Sequence, residues 1–243
     1  MKAAVYFGSR ALYEDMPVAA KSLLKNSDVD TVYLLTEDDE FPYPLPSNVV
    51  NINIGKRLTE WFVEKNPNWG SSWTPIGLIR VALSKVFPDL DKILTIDCDT
   101  IVAKDVSDLW DIPLDDYYCA GVREPVLSGR SGRIYINAGV VMLNLAKIRE
   151  ASKDNEMIHY LNTRPMYFVA QDAMNLALQS GIKEISSEYN SSPYTPITQS
   201  PKIVHFAGSI RFGWREQEIY KLYKRMPWSE VRQEYKDIRG ETA

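Results

Sequence analysis

Asp97 and Asp99 stand one residue apart at the end of the apolar run KILTI, residues 92–96. In an extended strand, residues two apart point to the same side, so both carboxylates can face one ligand. Two anions this close repel unless a cation lies between them, and hard carboxylate oxygens favour magnesium or manganese. The competing reading is that the two aspartates simply begin a turn, as aspartate often does. His205 directly follows the apolar pair Ile203-Val204, which places it at the end of a further strand. Its imidazole would supply a third protein ligand to a divalent ion. His159, the other histidine, reads as ordinary surface or packing. Gly208 follows three residues after His205, where a missing Cβ lets the backbone approach a phosphate closely. Arg211 adds a cation six residues after His205.

The elements that must position these groups alternate along the chain. Residues 3–7, 31–35, 49–54, 92–96, 117–122 and 134–145 are short runs rich in Val, Ile and Tyr and read as strands. Ile76, Ile79, Leu83 and Val86 recur at helical spacing, with Pro75 suited to a first helical position and Pro88 as a stop. Further helices are expected over about 146–161 and 170–180, the second ending at Gly181. Strands alternating with helices imply βαβ units and a largely parallel sheet with helices on both faces, whose ligands sit at the carboxyl ends of the strands. Asn137-Ala138-Gly139 interrupts a long buried strand, and glycine there implies a bulge or the close approach of a ligand. The amide of Asn137 can both donate and accept hydrogen bonds.

Composition narrows the function. A net charge of −4 argues against a nucleic-acid scaffold, because phosphate binding needs a surplus of lysine and arginine. Cys98 and Cys119 make no disulfide framework, which suits a reducing compartment. The opening residues offer only a five-residue apolar run, too short for a signal peptide, and no segment reaches the roughly 18 apolar residues of a membrane span. A cytoplasmic protein is therefore expected, and the sequon Asn190-Ser191-Ser192 is read as chance. From Trp214 to Gly240 the composition changes: seven lysines and arginines stand against five carboxylates, with Tyr220, Tyr223, Trp228 and Tyr235 interleaved. This tail reads as a helical pair packed by its aromatics, or else as a dock for an anionic membrane or an acceptor.

The order of segments resembles glycosyltransferase family 8, which includes glycogenin and bacterial lipopolysaccharide galactosyl- and glucosyltransferases. The resemblance runs from Ala4 to about Trp214. VYFGSRALYEDMPVAAKSLL is similar to the family's base-binding opening, IDCDTIVAKDVSDLW to its D-x-D stretch, INAGVVMLNL to its Asn-Ala-Gly element, AQDAMNLAL to its Asp-Gln segment, and HFAGSIRFGW to its closing motif. The helix before the metal strand carries Arg80, where family members place a cation near the nucleotide. The resemblance implies a GT-A-type, Rossmann-like α/β domain over 1–213, with a mostly parallel central sheet flanked by helices, followed by a C-terminal helical extension over 214–243. It implies a retaining enzyme that uses a UDP-sugar and Mn²⁺ (or Mg²⁺) to glycosylate a saccharide or other glycan acceptor.

The same resemblance assigns residues. Asp97, Asp99 and His205 hold the metal. Phe7, Gly8, Ser9 and Tyr13, with Arg80, Asp97, Cys98, Asp99, Ala138, Gly139, Gly208 and Arg211, line the donor site, Tyr13 stacking on or edging the base. Gln171, Asp172 and Asn137 serve the reaction, Gln171 lying near the anomeric carbon in a front-face attack. Two departures stand out. Ala170 replaces the family's aspartate, with Asp172 or Glu124 as the carboxylates that would compensate, and RFGW replaces Lys-Pro-Trp, exchanging a point cation for a planar fork. The loss at Ala170 leaves open a non-catalytic nucleotide-sugar or glycan-binding protein. A haloacid-dehalogenase-like phosphatase with Asp97 as nucleophile is a further alternative, although its D-x-D loop normally follows the first strand and here three strands precede it.

Overall fold

The computed structural model describes residues 1–70, 74–208 and 213–231. Nine strands form along it: β1 (Ala3–Phe7), β2 (Thr31–Thr36), β3 (Val49–Asn53), β4 (Lys92–Ile96), β5 (Thr100–Val102), β6 (Cys119–Arg123), β7 (Ile136–Asn144), β8 (Ile182–Glu184) and β9 (Ile203–His205). Seven make one sheet in the order β3-β2-β1-β4-β7-β6-β8, and β5 pairs with β9 in a second, two-stranded sheet. Within the large sheet only β7 runs against its neighbours, pairing antiparallel with both β4 and β6. The mixed α/β architecture with a mostly parallel sheet is the fold class that the alternation of elements implied.

Both faces of the sheet are covered, which is why its strands read as continuous apolar runs. Ala3, Val5 and Phe7 of β1 turn to one face, with Ile93, Val141 and Leu143. Ala4 and Tyr6 turn to the other, with Leu94, Ile96, Val140 and Met142. Helix α1 (Met16–Asn26) packs Leu23 and Leu24 on this second face. Burying a leucine so completely contributes roughly 1.5–3 kcal/mol.

The helix expected over 75–88 is mostly a tighter 3₁₀ stretch, Pro75–Ala82, which passes into one α-helical turn, α2 (Leu83–Val86). Gly77 and the β-branched Ile76, Ile79 and Val81 are poor α-helix formers, and burial holds the stretch instead. After α3 (Pro125–Ser131), the helix expected over 146–161 is divided into α4 (Leu145–Glu150) and α5 (Lys153–Thr163). The break falls at Ser152, in the left-handed region at φ 54°. α6 (Ala170–Ala177) is shorter than expected and ends in a 3₁₀ turn at Gly181.

α7 (Glu218–Arg225) lays Tyr220 and Tyr223 against Trp214, Val18 and Ile101. Asp15, buried at the start of α1, accepts from Arg215 Nε (2.8 Å) and Nη2 (2.6 Å) and from the Tyr220 hydroxyl (3.0 Å). The aromatics of the described tail thus turn inward, and the membrane-facing reading finds no support. No helix among the described residues is long and apolar enough to cross a membrane.

Candidate active site

The order of the large sheet reverses between β1 and β4, and in open α/β sheets such a switch point opens a crevice at the carboxyl ends of the strands. Phe7 ends β1 there, and Asp97 follows β4. The Asp97 amide donates to the carbonyl of Gly139 on β7 (2.8 Å), which continues the β4–β7 ladder one residue past its last pair. Cys98 turns inward, its thiol 3.4 Å from the Phe7 carbonyl, and pins the Asp-Cys-Asp turn to β1. Asp99 then leads into β5, whose Thr100 pairs with His205 of β9. Through that two-stranded sheet, residues 97–99 and 205 meet at one rim.

The ligand atoms of Asp97, Asp99 and His205 all lie within 4.8 Å of one another. His205 Nε2 is 3.6 Å from Asp97 Oδ2 and 3.4 Å from Asp99 Oδ1. The imidazole is buried, and burial works against its charged form, but the hydrogen bond and charge of Asp99, with Asp97 beyond, outweigh this and raise its pKa. A ring that attracts a proton between two carboxylates is equally placed to share a metal ion with them. Two carboxylates and an imidazole are a donor set suited to Mn²⁺ or Mg²⁺.

Arg80 is buried beside the triad. Its Nη2 bonds Asp97 Oδ1, its guanidinium lies 4.7 Å over the Phe7 ring, and its Nη1 is buried without a partner among the described residues. An unsatisfied buried donor of this kind points to a missing anionic partner. Gly139 is required by the same arrangement. A Cβ there would stand 2.1 Å from His205 Cε1, so only glycine leaves room for the ring. The register shift expected near Asn137 is present: two steps along β6, from Gly121 to Arg123, span five along β7, from Val141 to Ile136.

A buried polar cluster adjoins the triad. Asn137 donates to Glu124 Oε1 (2.6 Å), and its own oxygen accepts from the Gly139 amide (2.9 Å) and Asn190 (2.8 Å). Gln171 accepts from the Ala138 amide (2.8 Å) and donates to the Tyr135 hydroxyl (3.2 Å) and Glu124 (3.3 Å). Both oxygens of Asp172 are occupied, one by the Tyr135 hydroxyl (2.5 Å) and one by the Phe168 amide (2.8 Å). Burial, the largest influence on Glu124, raises its pKa against the hydrogen bonds from Asn137 and Gln171. Ala170, buried, opens α6, and the β-branched Val169 before it sits at φ 45°, a strained conformation that the surroundings of Gln171 must hold in place.

The remaining expected donor-site residues divide. Gly8 and Ser9 follow β1 at the same rim, and a Cβ at Gly8 would meet Leu12 at 2.8 Å. Tyr13 is buried rather than projecting: its ring packs 5.2 Å from Phe41, while its hydroxyl accepts from the Glu37 amide and donates to Asp38. It lines an open cavity of about 810 Å³ with Arg10, Asp38, Tyr43 and Arg215. Gly208 adopts φ +66°, and the space a Cβ would need is taken by the Tyr194 hydroxyl, a reason for glycine independent of any phosphate. Arg211 lies outside the described residues. Glu124, expected as a carboxylate that would compensate for Ala170, lies in this cluster, whereas Asn190 and Tyr135 gain their importance only in three dimensions. Of these, Asn190 drew notice in sequence only as part of a sequon, yet it is fully buried.

Solved structures share the fold: the glycosyltransferase GlyE of Streptococcus pneumoniae TIGR4 superposes with a TM-score of 0.72 at 19% identity over 98% of this chain and 64% of its own. The galactosyltransferase LgtC, solved with donor and acceptor sugar analogues, superposes with a TM-score of 0.70 at 18% identity over 94% of this chain and 99% of its own. Residues 18–218 match the family model for glycosyl transferase family 8, and the chain belongs to that family. Among curated relatives, the glycosyltransferase GlyA of S. pneumoniae is 27% identical over 61% of this chain, and the lipopolysaccharide 1,2-glucosyltransferase of Escherichia coli K12 is 27% identical over 58%. The chain spans 24% of the length of the first and 51% of the second. Family membership displaces the phosphatase reading.

Proposed function

We propose that this chain is a metal-dependent, retaining glycosyltransferase that moves a hexose from a UDP-sugar to a saccharide or other glycan acceptor. The convergence of Asp97, Asp99 and His205 within 4.8 Å at the switch point carries this reading. The three residues would hold Mn²⁺ or Mg²⁺, and the ion would supply charge stabilisation to the departing diphosphate. Arg80, fixed by Phe7 and Asp97, would add a cation at the same edge through its unpartnered nitrogen.

Gln171 is held by three hydrogen bonds, which fix its amide in one orientation beside Ala138. Asp172 is committed to Tyr135 and Phe168, which favours front-face attack over a covalent glycosyl–enzyme built on that carboxylate. In a front-face reaction the acceptor oxygen bonds the anomeric carbon on the face that the phosphate leaves, and the phosphate oxygen takes the acceptor's proton. Cys98 and Cys119, both buried and neither in a disulfide, suit the cytoplasmic setting in which such a donor is met.

A thermal-shift titration with UDP, with and without Mn²⁺, tests the donor site. A rise in Tm that needs both ligands is expected, because a ligand that binds only the folded state stabilises it by mass action. Asp99→Ala should remove that shift and metal-dependent transfer together. Transfer at the wild-type rate by Asp99→Ala would overturn the metal assignment.

A further inference from the structure

This inference rests on the reading of Asp97, Asp99 and His205 as a metal site and concerns what turns the imidazole toward the ion. His205 Nδ1 lies 2.9 Å from Asn190 Oδ1, and Asn190 is fully buried. Which of the two carries the hydrogen follows from a backbone group two links away. The Gly139 N–H can only donate, and it donates to Asn137 at 2.9 Å. The end of Asn137 that faces it is therefore the amide oxygen. The other end, the nitrogen, meets the carboxylate of Glu124 at 2.6 Å, as a donor should.

Asn190 approaches that same Asn137 oxygen at 2.8 Å and must do so with its nitrogen. Its own oxygen is thereby turned to His205. An amide oxygen only accepts, so Nδ1 carries the hydrogen, and in a neutral imidazole Nε2 is then left with a lone pair. That nitrogen is the one facing Asp97 and Asp99.

We propose that Asn190 is a positioning residue that fixes His205 as the Nδ1–H tautomer and holds Nε2 ready to ligate the ion. Direction passes from the Gly139 amide through Asn137 and Asn190 to the ring. Residues that ligate metals through histidine commonly orient it with a carboxylate or a backbone carbonyl. Here a side-chain amide does so without adding a further negative charge to a rim that already holds Asp97, Asp99 and Glu124. Full burial also makes Asn190 of the folded chain inaccessible to glycosylation at its sequon.

Ring-nitrogen NMR on the metal-free protein tests this directly. The chain has two histidines, so His159→Gln leaves His205 as the sole signal. With the pH raised until the imidazole is neutral, the spectrum should show a protonated Nδ1 and an unprotonated Nε2; the reverse tautomer overturns the proposal. Asn190→Ala should mix the tautomers and weaken Mn²⁺ binding, followed by electron paramagnetic resonance, by about tenfold or more. A folded Asn190→Ala protein with unchanged tautomer and Mn²⁺ Kd overturns it as well. Should that variant not fold, the spectrum of the Asn190-containing protein decides. If the wild type bound no Mn²⁺ at all, the proposed function would fail while the ring spectrum still judged Asn190.

Discussion

Gly139→Ala is the sharpest perturbation of the triad, because it adds one methyl group and removes no ligand. The new Cβ would lie 2.1 Å from His205 Cε1 and 2.5 Å from Nδ1, whereas ordinary contact begins at 3.4 Å. The ring must therefore retreat by the difference between 3.4 and 2.1 Å, at least 1.3 Å, or β7 must shift against β4. The backbone itself presents no obstacle, since Gly139 is not among the glycines at positive φ. Metal–ligand distances tolerate only about ±0.2 Å, so a displacement of this size removes Nε2 from the coordination sphere. Mn²⁺ affinity should fall by roughly 10- to 100-fold, the range found when the support of a ligand is lost. Overpacking should cost about 1–3 kcal/mol of stability, less than the whole stability of an ordinary domain, so the variant remains folded. Free Mn²⁺ measured by electron paramagnetic resonance gives the affinity, and thermal unfolding without metal gives the control. An alanine variant with an unchanged Mn²⁺ Kd would show that His205 is no ligand.

Two further expectations concern charge placement. Arg215→Ala leaves the buried Asp15 carboxylate with only the Tyr220 hydroxyl and should cost about 3 kcal/mol or more, whereas Asp15→Asn leaves a cation that is already 45% exposed and should cost less; urea unfolding that reverses this order would refute the assignment. Burial raises the Glu124 pKa, so the folded state binds more protons than the unfolded one above the ordinary value of 4.5, and stability falls as pH rises through the folded pKa. Glu124→Gln should remove that loss, with a Tm advantage at neutral pH that fades as pH falls toward 4.5; a difference independent of pH would contradict it.

Six of the nine strands were legible because a sheet covered on both faces demands unbroken apolar runs, as in AAVYF and KILTI. β9 could be anticipated from Ile203-Val204, but β5 and β8 have three residues each, too few to show a period. The helix before Asp97 was legible as a buried periodic stretch, yet its 3₁₀ geometry was not, because burial rather than propensity decides it. Asp97, Asp99 and His205 could be proposed from residue type and position. What holds them could not: Gly139 serves a ring 66 positions further on, and Asn190 matters through Asn137, 53 positions earlier. Tyr13 illustrates the opposite failure. A tyrosine beside a binding loop suggests stacking, but its hydroxyl is spent on Glu37 and Asp38, on a neighbouring strand end that the local sequence does not announce.

The reversed direction of β7 has a consequence for how this scaffold can diversify. Parallel strands deliver their last residues to the rim, but an antiparallel one delivers its first, so Asn137–Gly139 belong to the opening residues of β7 rather than to a loop that follows a strand. Glu124 closes β6 at that same rim. The connection between them, with α3, therefore begins and ends on the site without taking part in the central sheet. Loop-closure entropy grows only slowly with length, so this connection can lengthen or shorten at little thermodynamic cost. It forms a replaceable module beside the candidate metal-binding residues, a part of the rim that can vary while Asp97, Asp99 and His205 keep their places.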